Sequence, residues 1–168
     1  MYRHILAPID GSEPSALAFS AALKLARETG AALQPLYVVD IPLMSYDVPG
    51  YDPSYVRDAF IEEGTHVTAD ALAQMKREGV SGSPRIIEVE PLGGDIAQHI
   101  LRAASDLHAD LVVMGTHGRR GVQRLVLGSV AERFLRIAHC PVLLVPAHCA
   151  PTAGADSDAA PVALKEPS

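Results

Sequence analysis

The chain has 168 residues, a formal net charge of −6, 48% hydrophobic and 5% aromatic residues, and no tryptophan. It is long enough for one domain with a substantial aliphatic core and too apolar for wholesale disorder. The negative balance argues against a nucleic-acid partner, which selects a basic surface, and no apolar run reaches the roughly 18 residues of a membrane span.

The chain begins Met1-Tyr2-Arg3-His4 and runs straight into apolar residues, without a charged-then-apolar leader; the expectation is a cytoplasmic protein. The first strand closes on Pro8-Ile9-Asp10. A helix follows, with Ser12 as N-cap, Pro14 in its first turn and Gly30 as its stop. Leu17, Ala18, Ala21, Ala22 and Leu25 fall at helical spacing along it. The second strand spans Ala32 to Val39, and Pro35 inside it predicts an irregularity or an edge position.

The stretch 40–53 is rich in Pro, Tyr and Asp and reads as a long loop. Tyr46, Tyr51 and Tyr55 flank it, either to stack over a ligand or to pack on the next helix. That helix runs from about Tyr55 to Glu78 and stops at Gly79. A third strand, Pro84 to Glu90, leads into a helix opened by Gly93, Gly94 and Asp95. The fourth strand is Asp110 to Gly115, the fourth helix begins at Ser129, and the fifth strand is Pro141 to Pro146. Residues 1–146 form the domain, and 147–168, rich in Ala, Pro and small polar residues, read as a disordered tail.

The order βαβαβαβαβ predicts an open parallel sheet with helices on both faces. Ligands bind such sheets beyond the carboxyl ends of the strands, where the winding reverses. Asp10 and Gly115 sit at two such ends and share a crevice if strands one and four are neighbours. Periodicity leaves that adjacency open.

After the fourth strand comes GTHGRRGVQRLVLGS, residues 115–129, which lacks the lysine of a P-loop. A helix N-terminus still offers unpaired N–H groups and partial positive charge. Gly128 and Ser129 open the fourth helix, with Ser129 as a candidate cap. Gly115 and Gly118 are candidates for positive φ, and Arg119 and Arg120 for charge-assisted contacts. The bland reading is a connector whose glycines make turns. His117 reads as an exposed loop residue rather than a phosphate contact. Cys140 reads as a small core residue. The His139-Cys140 and His148-Cys149 pairs lack the close spacing of zinc ligands, and a disulfide is not expected in a reducing compartment.

Gly115-x2-Gly118-x9-Gly128-Ser129, set between strand and helix, with Pro8-Ile9-Asp10 before it and Cys140-Pro-Val-Leu-Leu-Val-Pro after it, resembles the universal stress protein family. The resemblance covers nearly the whole core. It implies a five-stranded parallel sheet of order 3-2-1-4-5, of the adenine nucleotide alpha hydrolase-like kind. It also implies ATP, or ADP or AMP, as ligand, with magnesium or manganese on the phosphates.

Carried over by position, Pro8, Ile9 and Asp10 line the nucleoside end, and Val38 offers backbone hydrogen bonds to adenine. Met114 and Gly115 lie near the adenosine, and Gly118, Gly128, Ser129 and Val130 hold phosphates. Asp10 would bond a ribose hydroxyl or hold the metal through water; its alternative role is a turn before Gly11. Ile9 departs from the small hydroxyl residue often found there. The last strand would pair across a homodimer.

The resulting expectation is an ATP-binding protein of stress response or signalling. A slow metal-dependent ATPase or phosphoryl-transfer enzyme and a dimeric adaptor that binds no nucleotide are the alternatives. No catalytic residue is assigned, because the sequence presents no general base beside the phosphate loop. The Ser-Gly-Gly-x-Asp-Ser loop of the related ATP pyrophosphatases is absent.

Overall fold

The computed structural model describes residues 1–40, 53–89, 94–118 and 127–147. Its elements follow in strict alternation: β1 (His4–Ile9), α1 (Glu13–Thr29), β2 (Ala32–Val39), α2 (Pro53–Arg77), β3 (Arg85–Glu88), α3 (Ile96–Leu107), β4 (Leu111–Gly115), α4 (Ser129–Ile137) and β5 (Val142–Val145). Local signals explain most boundaries. Ser12 caps α1 by accepting from the Ser15 N–H, and Gly30 ends that helix in the left-handed region at φ 71°. Asp95 caps α3 through the Gln98 N–H.

The five strands form one parallel sheet of order β3-β2-β1-β4-β5. Two apolar layers sandwich it. Ile5, Ala7, Ile9, Leu33, Leu111 and Val113 pack against α1 and α2 with Phe19, Ala71 and Met75. Leu6, Leu36, Val112 and Met114 pack against α3 and α4 with Ile100 and Phe134. Alternate residues of each strand thus feed opposite faces, and both faces are covered, as an all-parallel sheet requires.

The expectation drawn from Pro35 needs correcting. β2 is an inner strand between β1 and β3, and Pro35 is fully buried opposite Ala7. The Leu33 N–H donates to the Ser81 carbonyl, and the Val39 carbonyl accepts from Val89. Both therefore address the β3 side, and the two-residue alternation sends the nitrogen of Pro35 the same way. Pairing with β3 begins only at Leu36 and Arg85, so the missing donor falls just before the ladder starts.

Tyr46, Tyr51, Gly93, Arg119, Arg120 and Cys149, and the tail from residue 148 onward, lie outside the described residues.

Candidate functional site

The strand order puts β1 beside β4, with Ile5 opposite Leu111 and Leu6 opposite Val112. The carboxyl end of β1, Pro8-Ile9-Asp10, is thereby brought to the same end of the sheet as Met114-Gly115. Here the winding reverses: β2 and β3 lie to one side of β1, β4 and β5 to the other. The crevice expected of a doubly wound sheet opens at this point.

Asp10 is held by its own turn. Its Oδ1 accepts from the Ser12 N–H at 2.9 Å and from the Ser12 hydroxyl at 2.6 Å. Its backbone N–H donates to Ser15 Oγ at 3.2 Å, and that hydroxyl donates to the Ser12 carbonyl at 3.1 Å. The turn-making role is therefore real. It also fixes the carboxylate, with Oδ2 toward Gly118, where a Cβ would come within 2.8 Å of it. Ser15, which steadies this turn, carries no sequence signal apart from its place three residues after the cap.

Gly115, Gly118 and Gly128 are not among the glycines of positive φ, which are Gly11, Gly30, Gly79, Gly82 and Gly94. The expected reason for glycine at 115 and 118 is thus replaced by another, close approach. A Cβ on Gly115 would lie 3.0 Å from the carbonyls of Pro14 and His117. One on Gly128 would lie 3.1 Å from the Thr116 carbonyl. That carbonyl accepts the Gly128 N–H at 2.7 Å, so the strand exit and the helix entrance are tied together.

The cap of α4 is likewise different from expectation. Gly128, extended at φ −60° and ψ 145°, occupies the N-cap position, and Ser129 is the first helical residue. The Gly128 carbonyl already accepts from Glu132, which fixes this register. No side chain caps the helix. Unlike α1 and α3, α4 leaves the N–H groups of Ser129, Val130 and Ala131 without a partner among the described residues. These donors, with the positive end of the helix dipole, point out of the helix at the entrance that Gly128 ties to Thr116.

The remaining residues divide by depth. Ile9 and Met114 are 6% and 5% exposed and belong to opposite core layers, so only their backbones are available to a ligand. Pro8 and Val38 are half-buried, and Val38 pairs with Ile87 at the end of β2. Tyr55 is 75% exposed on the first turn of α2. His117 contradicts its expected exposure: its Nδ1 lies 3.0 Å from the Thr116 hydroxyl, and its Nε2 is buried with no partner among the described residues. Arg133 of α4 pairs with Asp95, the cap of α3, at 2.9 Å. Nothing in the sequence links those two residues, which lie on different helices.

The fold, strand order and glycine geometry coincide with one sequence match. The profile of the universal stress protein family matches residues 1–146. The chain belongs to that family. A universal stress protein of Methanocaldococcus jannaschii is 38% identical over 146 residues, which is 86% of this chain and 82% of the relative. The crystal structure of a universal stress protein family member from Burkholderia pseudomallei is 49% identical at TM-score 0.73, over 86% of this chain and 96% of that one. A universal stress protein of Archaeoglobus fulgidus, solved in complex with dAMP, shares the fold at 22% identity and TM-score 0.62, over 85% of this chain and 97% of its own.

Proposed function

We propose that this universal stress protein binds an adenine nucleotide, ATP foremost, in the crevice between β1 and β4, and acts in the cytoplasm in stress response or signalling. The observation that carries the reading is the uncapped first turn of α4. Three N–H donors, a helix dipole and glycine backbone at 118 and 128 make a cradle that a side chain would fill. A phosphate oxygen satisfies such donors with charge assistance. The buried Nε2 of His117 in the adjoining turn adds a further unmet polar group.

In this reading Gly118, Gly128, Ser129 and Val130 surround the phosphates, with Ser129 adding its hydroxyl. Ser129 and Val130 give their N–H groups, whereas that of Gly128 stays with Thr116. Pro8, Ile9, Asp10, Met114 and Gly115 line the nucleoside, and the backbone of Val38 reads adenine. Among the described residues no group of three or more His, Cys, Asp or Glu side chains is placed to hold a metal. Magnesium or manganese would therefore ride on the phosphates, with Asp10 as a single protein oxygen donor. The dAMP complex of the Archaeoglobus fulgidus relative supports the ligand class through the shared fold.

The test is direct. The protein is purified without added nucleotide and denatured, and the released small molecules are identified; ATP, ADP or AMP is expected. An empty protein that also gives no heat with ATP and magnesium overturns the proposal. Phosphate release measured on the same samples separates a sensor from a slow ATPase.

A further inference from the structure

On the far side of β2 from the crevice, α3 lies over β1 and β2, and the edge strand β3 stands beyond it. A cavity of about 290 Å³ opens between β3 and α3, lined by Arg85, Ile87, Glu88, His99, Arg102 and Asp106. Most of its charges are already matched. Arg85 pairs with Asp106 at 3.0 Å. Glu88 takes two bonds from Arg57, at 2.8 and 2.9 Å. Two groups are left over.

One is Arg102, which has no ion-pair partner among the described residues. The other is His99, only 6% exposed. Its Nδ1 lies 3.0 Å from the Asp95 carbonyl one helical turn back. A carbonyl can only accept, so Nδ1 carries a proton, and in the Nδ1–H tautomer Nε2 presents a lone pair. That atom has no partner among the described residues, yet it is not sealed in the interior as Nε2 of His117 is. His99 is on the cavity wall, with Nε2 within reach of an occupant. His99 and Arg102, three residues apart, share one helix face.

We infer that this cavity binds a small hydroxycarboxylate, its carboxylate on the Arg102 guanidinium and its hydroxyl donating to Nε2 of His99. A single unmatched cation suits a monoanion. A phosphate dianion would leave one charge uncompensated beside Glu88 and Asp106. The cavity lies at the small end for ligand sites, which restricts the occupant to a few carbons. The apolar side chain of Ile87 covers the carbon skeleton.

The experiment titrates the full chain with the monoanions glycolate, lactate and glycerate, and separately with propionate and inorganic phosphate. Calorimetry gives affinity, and the His99 ring nitrogens are followed by ¹⁵N NMR. At least one hydroxycarboxylate is expected to saturate and to move the Nε2 signal. Propionate, which has the carboxylate without the hydroxyl, is expected to bind about tenfold more weakly or worse, as is the best hydroxycarboxylate to Arg102→Gln. Arg102 is exposed, so that variant keeps the fold. Gly118→Val, which alters only the nucleotide crevice, is expected to bind the hydroxycarboxylate normally. The inference falls if none of the three saturates, if propionate or phosphate binds as well as they do, or if Arg102→Gln changes nothing.

Discussion

At the scale of single residues, the same residue type at neighbouring positions meets different neighbours. Gly118 is exposed and meets one side-chain oxygen, Oδ2 of Asp10, whereas Gly128 meets a backbone carbonyl, which cannot move aside. Gly118→Val is therefore expected to lower ATP affinity by about a hundredfold or more while leaving the melting temperature nearly unchanged. Gly128→Val loses binding and also costs about 1–3 kcal/mol, as overpacking does. Calorimetry and thermal melts on both variants check this. Normal ATP affinity in both would remove the site.

Asp110 offers a pH prediction. Burial works to raise its pKa, but the N–H groups of Arg3 and His4 bond the carboxylate at 2.8 and 3.1 Å and hold it below the ordinary value. A depressed folded-state pKa gives stability that is present above the unfolded value, near 3.8, and lost as pH falls through the folded value. Asp110→Asn should cost about 1 kcal/mol at neutral pH, the low end because the site is partly exposed. It should also flatten the acid limb of a stability–pH curve below about pH 4. A limb of unchanged slope would refute the assignment. Residue-scale features were the least legible in the sequence. The reason for glycine at 115 and 118, the orphan nitrogen of His117 and the Arg133–Asp95 pair all arise from contacts between distant segments.

At the scale of elements, the sequence was far more informative. Aliphatic runs for the strands, Ser12 and Asp95 before helices and Gly30 and Gly79 after them are local signals, and they mark the observed ends closely. Two local signals misled. Pro35 looked like an edge residue because its missing donor is visible in sequence while the starting point of the neighbouring ladder is not. Ser129 looked like a cap because it follows a glycine, yet the glycine's own carbonyl begins the helix. The cap of α1 is a test of the first kind of signal. Its bond from the Ser15 N–H is long, 3.4 Å, while the same hydroxyl donates to Asp10 at 2.6 Å. Ser12→Ala should therefore cost only about 0.5–1 kcal/mol in stability. Because it removes the hydroxyl's bond to Asp10 while the backbone bond stays, it should weaken nucleotide binding more than a cap alone explains, which a paired melt and titration would reveal.

At the scale of the whole molecule, strand order was beyond the reach of periodicity. It depends on which face each crossover takes, and it entered through the family resemblance. The order leaves β3 and β5 as edges. Beside β5, Leu143 and Leu135 are 38% and 41% exposed, the kind of edge that natural sheets cover. A homodimer through β5 is the proposed cover. Leu143→Glu is then expected to halve the mass measured by light scattering, and a wild-type monomer would end the idea. Because the last described strand closes at Val145, a chain cut after Pro146 should melt within a few degrees of the full one.

The bond from the Gly128 N–H to the Thr116 carbonyl has a consequence for engineering. It clips together the two ends of the segment between them, so the donors on α4 are positioned without help from that segment's length. A substitution that shifts the Thr116 carbonyl is thus expected to move the entrance of α4 with it, a handle for retuning the crevice while the sheet stays as it is.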